Sequence, residues 1–172
     1  MSNRRSMWLA SAVLLAGLSL VSAARAQSGT EGCNAGVSGA QQMWICPGGL
    51  TIIEENGARF SLDDRNGDGN VDLIRLWRKA VLLEFTAGRR LEVVTPQAIA
   101  AVRGTRWVVD ARSGETEVFV VRGAVGVRRP SGGSEVVLDA GDGVDAAGST
   151  GPLEAKRWAA SRVAALMARL GQ

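Results

Sequence analysis

From residue 50 onward the chain alternates short β-forming runs with turn residues, and this pattern is the main structural signal it carries. Residues 50–62 read as a hairpin, because Asn56-Gly57 is a two-residue type I′ turn signal flanked by β-formers. That turn would oppose Glu55 with Ala58, Glu54 with Arg59 and Ile53 with Phe60. It would place Thr51, Ile53 and Glu55 on a buried face with Ala58, Phe60 and Leu62. Further strand runs are expected at 72–76, 80–85, 91–95, 107–111, 117–122, 125–128, 135–138 and 144–146. Gly88, Gly104, Ser113-Gly114, Gly123, Gly132-Gly133 and Gly141-Asp142-Gly143 punctuate them. No ten-residue helical pattern intervenes, so the expected body is all-β. Two ends differ from it. Residues 27 to about 39 lack periodicity and read as a flexible lead-in, with order beginning near Met43. At the other end Pro152 suits a first helical turn, and Ala159, Val163, Leu166, Met167 and Leu170 then repeat at helical spacing before Gly171. That stripe predicts a helix docked on the sheet body, with Lys156, Arg157, Arg162 and Arg169 solvated.

Composition removes whole classes of chemistry. Among 172 residues there is no His and no Tyr, so histidine-based nucleophile systems, His-ligated zinc and imidazole proton shuttles are excluded. The balance of 20 Lys+Arg against 17 Asp+Glu suggests a basic protein until the excess is located. Arg4 and Arg5 precede an apolar stretch over residues 7–24, and Ala24-Arg25-Ala26 offers small residues where a signal peptidase reads. Cleavage after Ala26 would remove Arg4, Arg5 and Arg25 and leave the signs balanced, so no nucleic-acid partner is expected. The alternative is a retained anchor, since the apolar stretch can just cross a bilayer. After cleavage near Ala26 the expected location is periplasmic or secreted.

Only Cys33 and Cys46 are present, and in an oxidising compartment they would close one short loop. Two free thiols or a bridge to a partner are the alternatives. A second motif is the run from Asp64 to Asp72, which matches the first nine positions of a calcium loop. Asp64, Asn66 and Asp68 stand at positions 1, 3 and 5, Gly69 makes the sharp turn, the Asn70 carbonyl is a ligand, Val71 anchors the loop and Asp72 coordinates directly or through water. Position 12 is Arg75, where such loops carry a bidentate carboxylate. Three arrangements remain: a ligand supplied from elsewhere, weak Ca2+ binding, or an Asp/Asn/Gly-rich turn without an ion.

The most specific stretch is Val93-Val94-Thr95-Pro96, the Ala/Ile/Val run after it, and Val102-Arg103-Gly104-Thr105 with Trp107 two residues on. Pro96 biases Thr95 to an extended conformation, as in a strand turning a corner. Gly104 permits a sharp turn closed to residues with a Cβ. Arg103 offers a fork of donors that could tie that turn to a carboxylate or to free carbonyls. A second reading places it on an exposed ligand surface. Thr95, Pro96, Arg103, Gly104, Thr105 and Trp107 together resemble the core of the FecR-like domain of bacterial periplasmic proteins, with later strands through residue 146 resembling its closing strands. The resemblance implies a β-helix-like or sandwich-like body of short stacked strands acting in envelope signalling. It divides the chain into a signal peptide (1–26), a lead-in with the disulfide loop (27–46), a FecR-like β domain (47–148) and a C-terminal helix (149–172).

Relays of that family carry a cytoplasmic sigma-binding segment before a membrane span. Only six residues precede the apolar stretch here, so no direct sigma-factor contact is expected. The leading expectation is a non-enzymatic exported binding or sensory module that meets an envelope or membrane protein. The alternative is a calcium-stabilised structural module of an envelope assembly. No carboxylate-pair or nucleophile constellation points to an enzyme. Trp158 lies off the apolar stripe beside Arg162 and Arg169 by helical angle, which makes it either a partner anchor or a ring folded onto the sheet.

Overall fold

Residues 32–86 and 88–172 are described by the computed structural model; the expected leader and its cleavage site lie outside them. The first strands are β1 (Asn34–Ser38), β2 (Gln41–Cys46), β3 (Leu50–Glu54) and β4 (Arg59–Asp63). The long β5 (Leu73–Phe85) follows, then β6 (Leu91–Val94), β7 (Ile99–Val102), β8 (Arg106–Arg112) and β9 (Glu115–Arg122). The chain closes with β10 (Ala124–Arg128), β11 (Val136–Asp139), β12 (Asp142–Ala147), β13 (Lys156–Arg157) and one helix, α1 (Ala160–Arg169). The architecture is therefore all-β with a short C-terminal helix, and the sheet curls into a half-barrel whose halves face each other across a core in the manner of a sandwich.

Strand β5 makes the curl. Its first half pairs with β4 and, in parallel, with β6, whereas its second half pairs with β3 and β8. Run straight, residues 73 to 85 would hold these ends about 40 Å apart. Residues 86–90 can bridge only about 20 Å back to β6, which sits beside Leu73, so the strand must bend. The bend falls at Lys79, whose φ of 65° is left-handed, and beside it Trp77 is an extra residue between the Arg59↔Arg78 and Phe60↔Leu76 pairs. Inserting one residue reverses the alternation: Ile74 and Leu76 face the core before the bend, Val81, Leu83 and Phe85 after it. The polar break at Arg78-Lys79 that reads as a gap between two strands is thus a corner inside one.

The same corner corrects the expected hairpin. The turn exists, with Ala58 N–H donating to the Glu55 carbonyl at 2.8 Å, but β3 and β4 do not pair with each other. Each pairs with a different half of β5, so the chain splays across the corner. Leu50 and Ile52, not Ile53, point into the core with Phe60. Glu54 accepts a hydrogen bond from Trp44 Nε1 instead of meeting Arg59.

The lead-in is also corrected: β1 and β2 form an antiparallel hairpin, and Cys33–Cys46 is a disulfide. Asn34 faces Ile45, so the bridge closes the adjoining cross-strand position and ties β1 to the sheet. Order therefore begins before Met43. At the C-terminus Pro152 starts no helix. Residues 156–157 pair with β12 first, and α1 begins at Ala160.

Two apolar layers result. The inner one contains alternate residues of nearly every strand, with Trp107, Leu83, Leu91 and Val120 fully buried; burying each such side chain contributes on the order of 1.5–3 kcal/mol. The outer one lies on the opposite face of β3, β5, β8 and β9, where Ile53, Ala80, Leu82, Val108 and Phe119 receive Leu166 of α1 and Leu170, which caps its C-terminus. The apolar stripe of the helix docks as its periodicity predicts.

Candidate interaction groove

The turns at both ends of β7 are built from the motif residues. Thr95 N–H donates to the Ala98 carbonyl at 2.9 Å, and Thr95 Oγ1 accepts the Ala98 N–H at 2.9 Å, which makes 95–98 a tight β6–β7 hairpin with Pro96 at its exposed tip. The strand does not turn a corner there; it reverses. The Thr95 hydroxyl also shares a 2.8 Å hydrogen bond with that of Thr116, and both side chains are buried.

At the other end, Gly104 has φ of 69°, as its sharp turn requires. Thr105 exchanges two 3.0 Å backbone hydrogen bonds with Phe85, extending the β5–β8 ladder by one pair. Its hydroxyl donates to the Ala124 carbonyl at 3.1 Å, joining this turn to the β9–β10 turn. Trp107 is wholly buried in the inner layer. Thr95, Pro96, Gly104, Thr105 and Trp107 therefore shape and hold the scaffold.

Arg103 is the exception. It is exposed, and among the described residues it makes no hydrogen bond or ion pair, so the expected tie to the turn is not made. Its place is on the wall of a groove of about 430 Å³ shared with Arg90, Val125, Gly126, Glu135 and Val137. Gly126 makes room for Glu135, whose carboxylate lies 2.7 Å from where a Cβ would stand. Arg90 is paired to Glu92 at 2.8 Å, whereas Glu135 has no ion pair among the described residues. Val137 is 59% exposed. The groove thus presents, among the described residues, one uncommitted cation, one uncommitted carboxylate and an apolar side chain. Sequence reasoning found Arg103 but missed Glu135 and Val137, which the β7–β10–β11 pairing brings to the same groove, and Arg90, which the β6–β7 pairing brings there.

Trp158 lies elsewhere and is no exposed anchor. It is 7% exposed, stacked on Phe119 at 5.2 Å between ring centroids, with the Arg162 guanidinium 3.5 Å over its ring. A side chain at Gly143 would collide with the indole, so the glycine there makes its seat.

Arg162 and Arg169, expected to be solvated, are paired as well. Arg169 reaches Asp110 at 2.7 Å and Glu55, and Arg162 reaches Glu117 at 3.0 Å and Asp145. Arg112 joins Asp110 to Glu117 at 2.8 and 3.0 Å. Burial pushes the Glu117 carboxyl above the usual range against the pull of Arg112 and Arg162, and the hydrogen bond to Asp110 raises the already high Arg169 pKa further. An acid at position 110, inside the strand run 107–111, was the legible sign of this network.

The loop at 64–72 is organised by its own side chains. Asp64 accepts the backbone N–H groups of Gly67 at 2.8 Å and Gly69 at 2.7 Å, Asn66 accepts that of Asp68, and Asp68 accepts that of Asn70. Hydrogen bonds from Asn70 hold the Asp68 carboxyl below its usual pKa. Asp72 pairs with Arg65 at 3.0 Å, and Arg75 is held by Asp63 at 3.0 Å.

The sequence profile of the family described as FecR protein matches residues 80–126, from the second half of β5 into β10. This stretch contains Thr95, Pro96, Arg103, Gly104, Thr105 and Trp107. No curated protein matches the chain. In fold the chain is similar to a proposed anti-sigma factor from Parabacteroides distasonis. A 1.65 Å crystal structure of it has a TM-score of 0.60 and 19% identity, over 75% of this chain and 61% of that one. A second, at 2.50 Å, has the same TM-score and identity over 78% and 63%. The chain spans less than two thirds of the length of those structures, and the likeness is one of fold.

Proposed function

Taking residues 80–126 as a FecR-type segment, we propose that the chain is a non-enzymatic, exported module that takes part in envelope signalling by binding a protein partner in the groove beside the β7–β8 turn. The observation that carries the reading is Arg103. Within a motif whose other members are spent on the scaffold, it stands exposed and unpaired among the described residues, next to Glu135 and Val137. The Cys33–Cys46 disulfide supports an oxidising compartment, and the resemblance to a proposed anti-sigma factor supports a regulatory partner. The partner would be an envelope or membrane protein engaging both charges.

A photo-crosslinking residue at Val137, activated in living cells, is expected to capture a defined envelope protein. Arg103→Ala and Glu135→Ala, both at exposed positions, should abolish the adduct without changing the melting temperature. An adduct that survives both substitutions would falsify the groove as the binding site.

A second reading, a calcium-stabilised structural module, rests on the oxygens of Asp64, Asn66 and Asp68 gathered on one turn. A melting temperature raised several degrees by millimolar calcium, and no longer raised in Asp64→Asn, would select it.

A further inference from the structure

Four strands among the described residues pair on one side only: β1, β4, β11 and β13. Such strands present unpaired N–H and C=O groups, and proteins that remain monomeric guard them with charge, proline or bulges. Three are guarded. Strand β4 carries Arg59 and Asp63 and a bulged pairing, β11 is preceded by Glu135 and ends in Asp139, and β13 is Lys156-Arg157. Strand β1 is Asn34-Ala35-Gly36-Val37-Ser38, with no charge and no proline. Its Val37 is 74% exposed, the most exposed large apolar side chain described.

We infer that β1 is a self-association edge, at which a second copy of this chain adds its own β1 antiparallel to extend the sheet across a two-fold axis. The strand is complementary to itself. With Gly36 facing Gly36 of the other copy, Ala35 lies across from Val37 and Asn34 across from Ser38, so aliphatic meets aliphatic, polar meets polar and no like charges meet. Ala35 and Val37 share the face that carries Trp44 and Gln42 of β2, so the pairing extends that face. The edge is prepared for docking, because the Cys33–Cys46 disulfide fixes the start of β1 and the Gln172 side chain donates to Ser38 Oγ at 3.2 Å at its end. A five-residue strand pair is smaller than the roughly 1,200 Å² of a standard stable interface. The dimer therefore forms in rapid exchange and rises with concentration.

Sedimentation equilibrium on the protein as isolated from expressing cells should show a monomer–dimer equilibrium. Two double variants test the register. A35K/V37K and A35E/V37E each set like charges opposite one another twice and should weaken association at least tenfold, while an equimolar mixture of the two should associate again as a heterodimer. Both positions are exposed, and circular dichroism with a thiol assay confirms that each variant is folded and bridged. Arg103→Ala should leave the equilibrium unchanged, which keeps this test separate from that of the groove. A wild type that stays monomeric at hundreds of micromolar overturns the proposal, as do double variants that associate like the wild type or a mixture that fails to restore association. Capture of a foreign strand by a monomeric wild type would also overturn it.

Discussion

The two faces of the sheet are sealed by different physics. The inner face is closed by apolar side chains from opposing halves of one curled sheet, and nearly every strand contributes. The outer face is covered over only part of its area by a ten-residue helix, with Trp158, Leu166 and Leu170 ringed by Asp110, Glu117, Glu55 and three arginines. A helix of that length is marginal by itself, so α1 depends on its dock, whereas the inner core depends on no single element. The half-barrel should therefore tolerate loosening of the helix, but the helix cannot outlast the half-barrel.

The largest expected effect is on the inner face. Trp107→Ala should cost about 3–5 kcal/mol in a denaturant titration and abolish protection throughout the chain, because the cavity opens where both halves of the sheet meet. Asp110→Ala should cost about 2 kcal/mol, discounted because Arg112 and Arg169 remain partly exposed. Hydrogen exchange should show the amides of α1 losing protection before those of β5 and β8; equal losses on both faces would erase the distinction between them.

The corner that creates the two faces can be probed at Lys79. Lys79→Val forces a β-branched side chain into left-handed backbone and should lose about 1–2 kcal/mol, while Lys79→Gly stays within about 1 kcal/mol of wild type. Equal stabilities for the two variants would mean that the bend is not set at this residue.

The smallest effect concerns pH. Burial raises the Glu54 carboxyl above its ordinary range, with the Trp44 hydrogen bond opposing the shift. A raised carboxyl contributes stability that is fully present below the unfolded pKa and lost as pH rises through the folded one. Glu54→Gln removes that loss, so the variant should gain on wild type as pH rises above the ordinary glutamate pKa of about 4. A difference that does not change with pH would count against burial as the cause.

Much of this was legible from residue order. Most β-runs from residue 91 to 146 fall close to where alternation and glycine punctuation place them, but β7 (Ile99–Val102) has no run among those expected. Gly104 announces its turn because left-handed backbone there favours glycine, whereas Thr95-Pro96 reads as a corner and makes a reversal. The misreadings share a different origin. Asn56-Gly57 does make a turn, yet whether the flanking strands pair across it depends on β5, whose two halves compete for them from different directions. Trp158 next to arginines looks exposed on a helical wheel, but the residue precedes the helix and its ring is claimed by Phe119 and Gly143, brought by other strands.

The amino-acid order alone thus determined the all-β class, the cysteine pair, the docked helical stripe and the motif that marks residues 80–126, since each is encoded by neighbours in sequence. Only tertiary structure decided that Val81, Leu83 and Phe85 continue the inward face begun by Ile74 and Leu76. It also decided that Arg103, unpaired among the described residues, shares a groove with Glu135 and that β1 ends the described sheet without a guarding charge. These outcomes depend on a one-residue bulge at the corner and on pairings between distant segments, whose strength lies in shared burial that no local window contains.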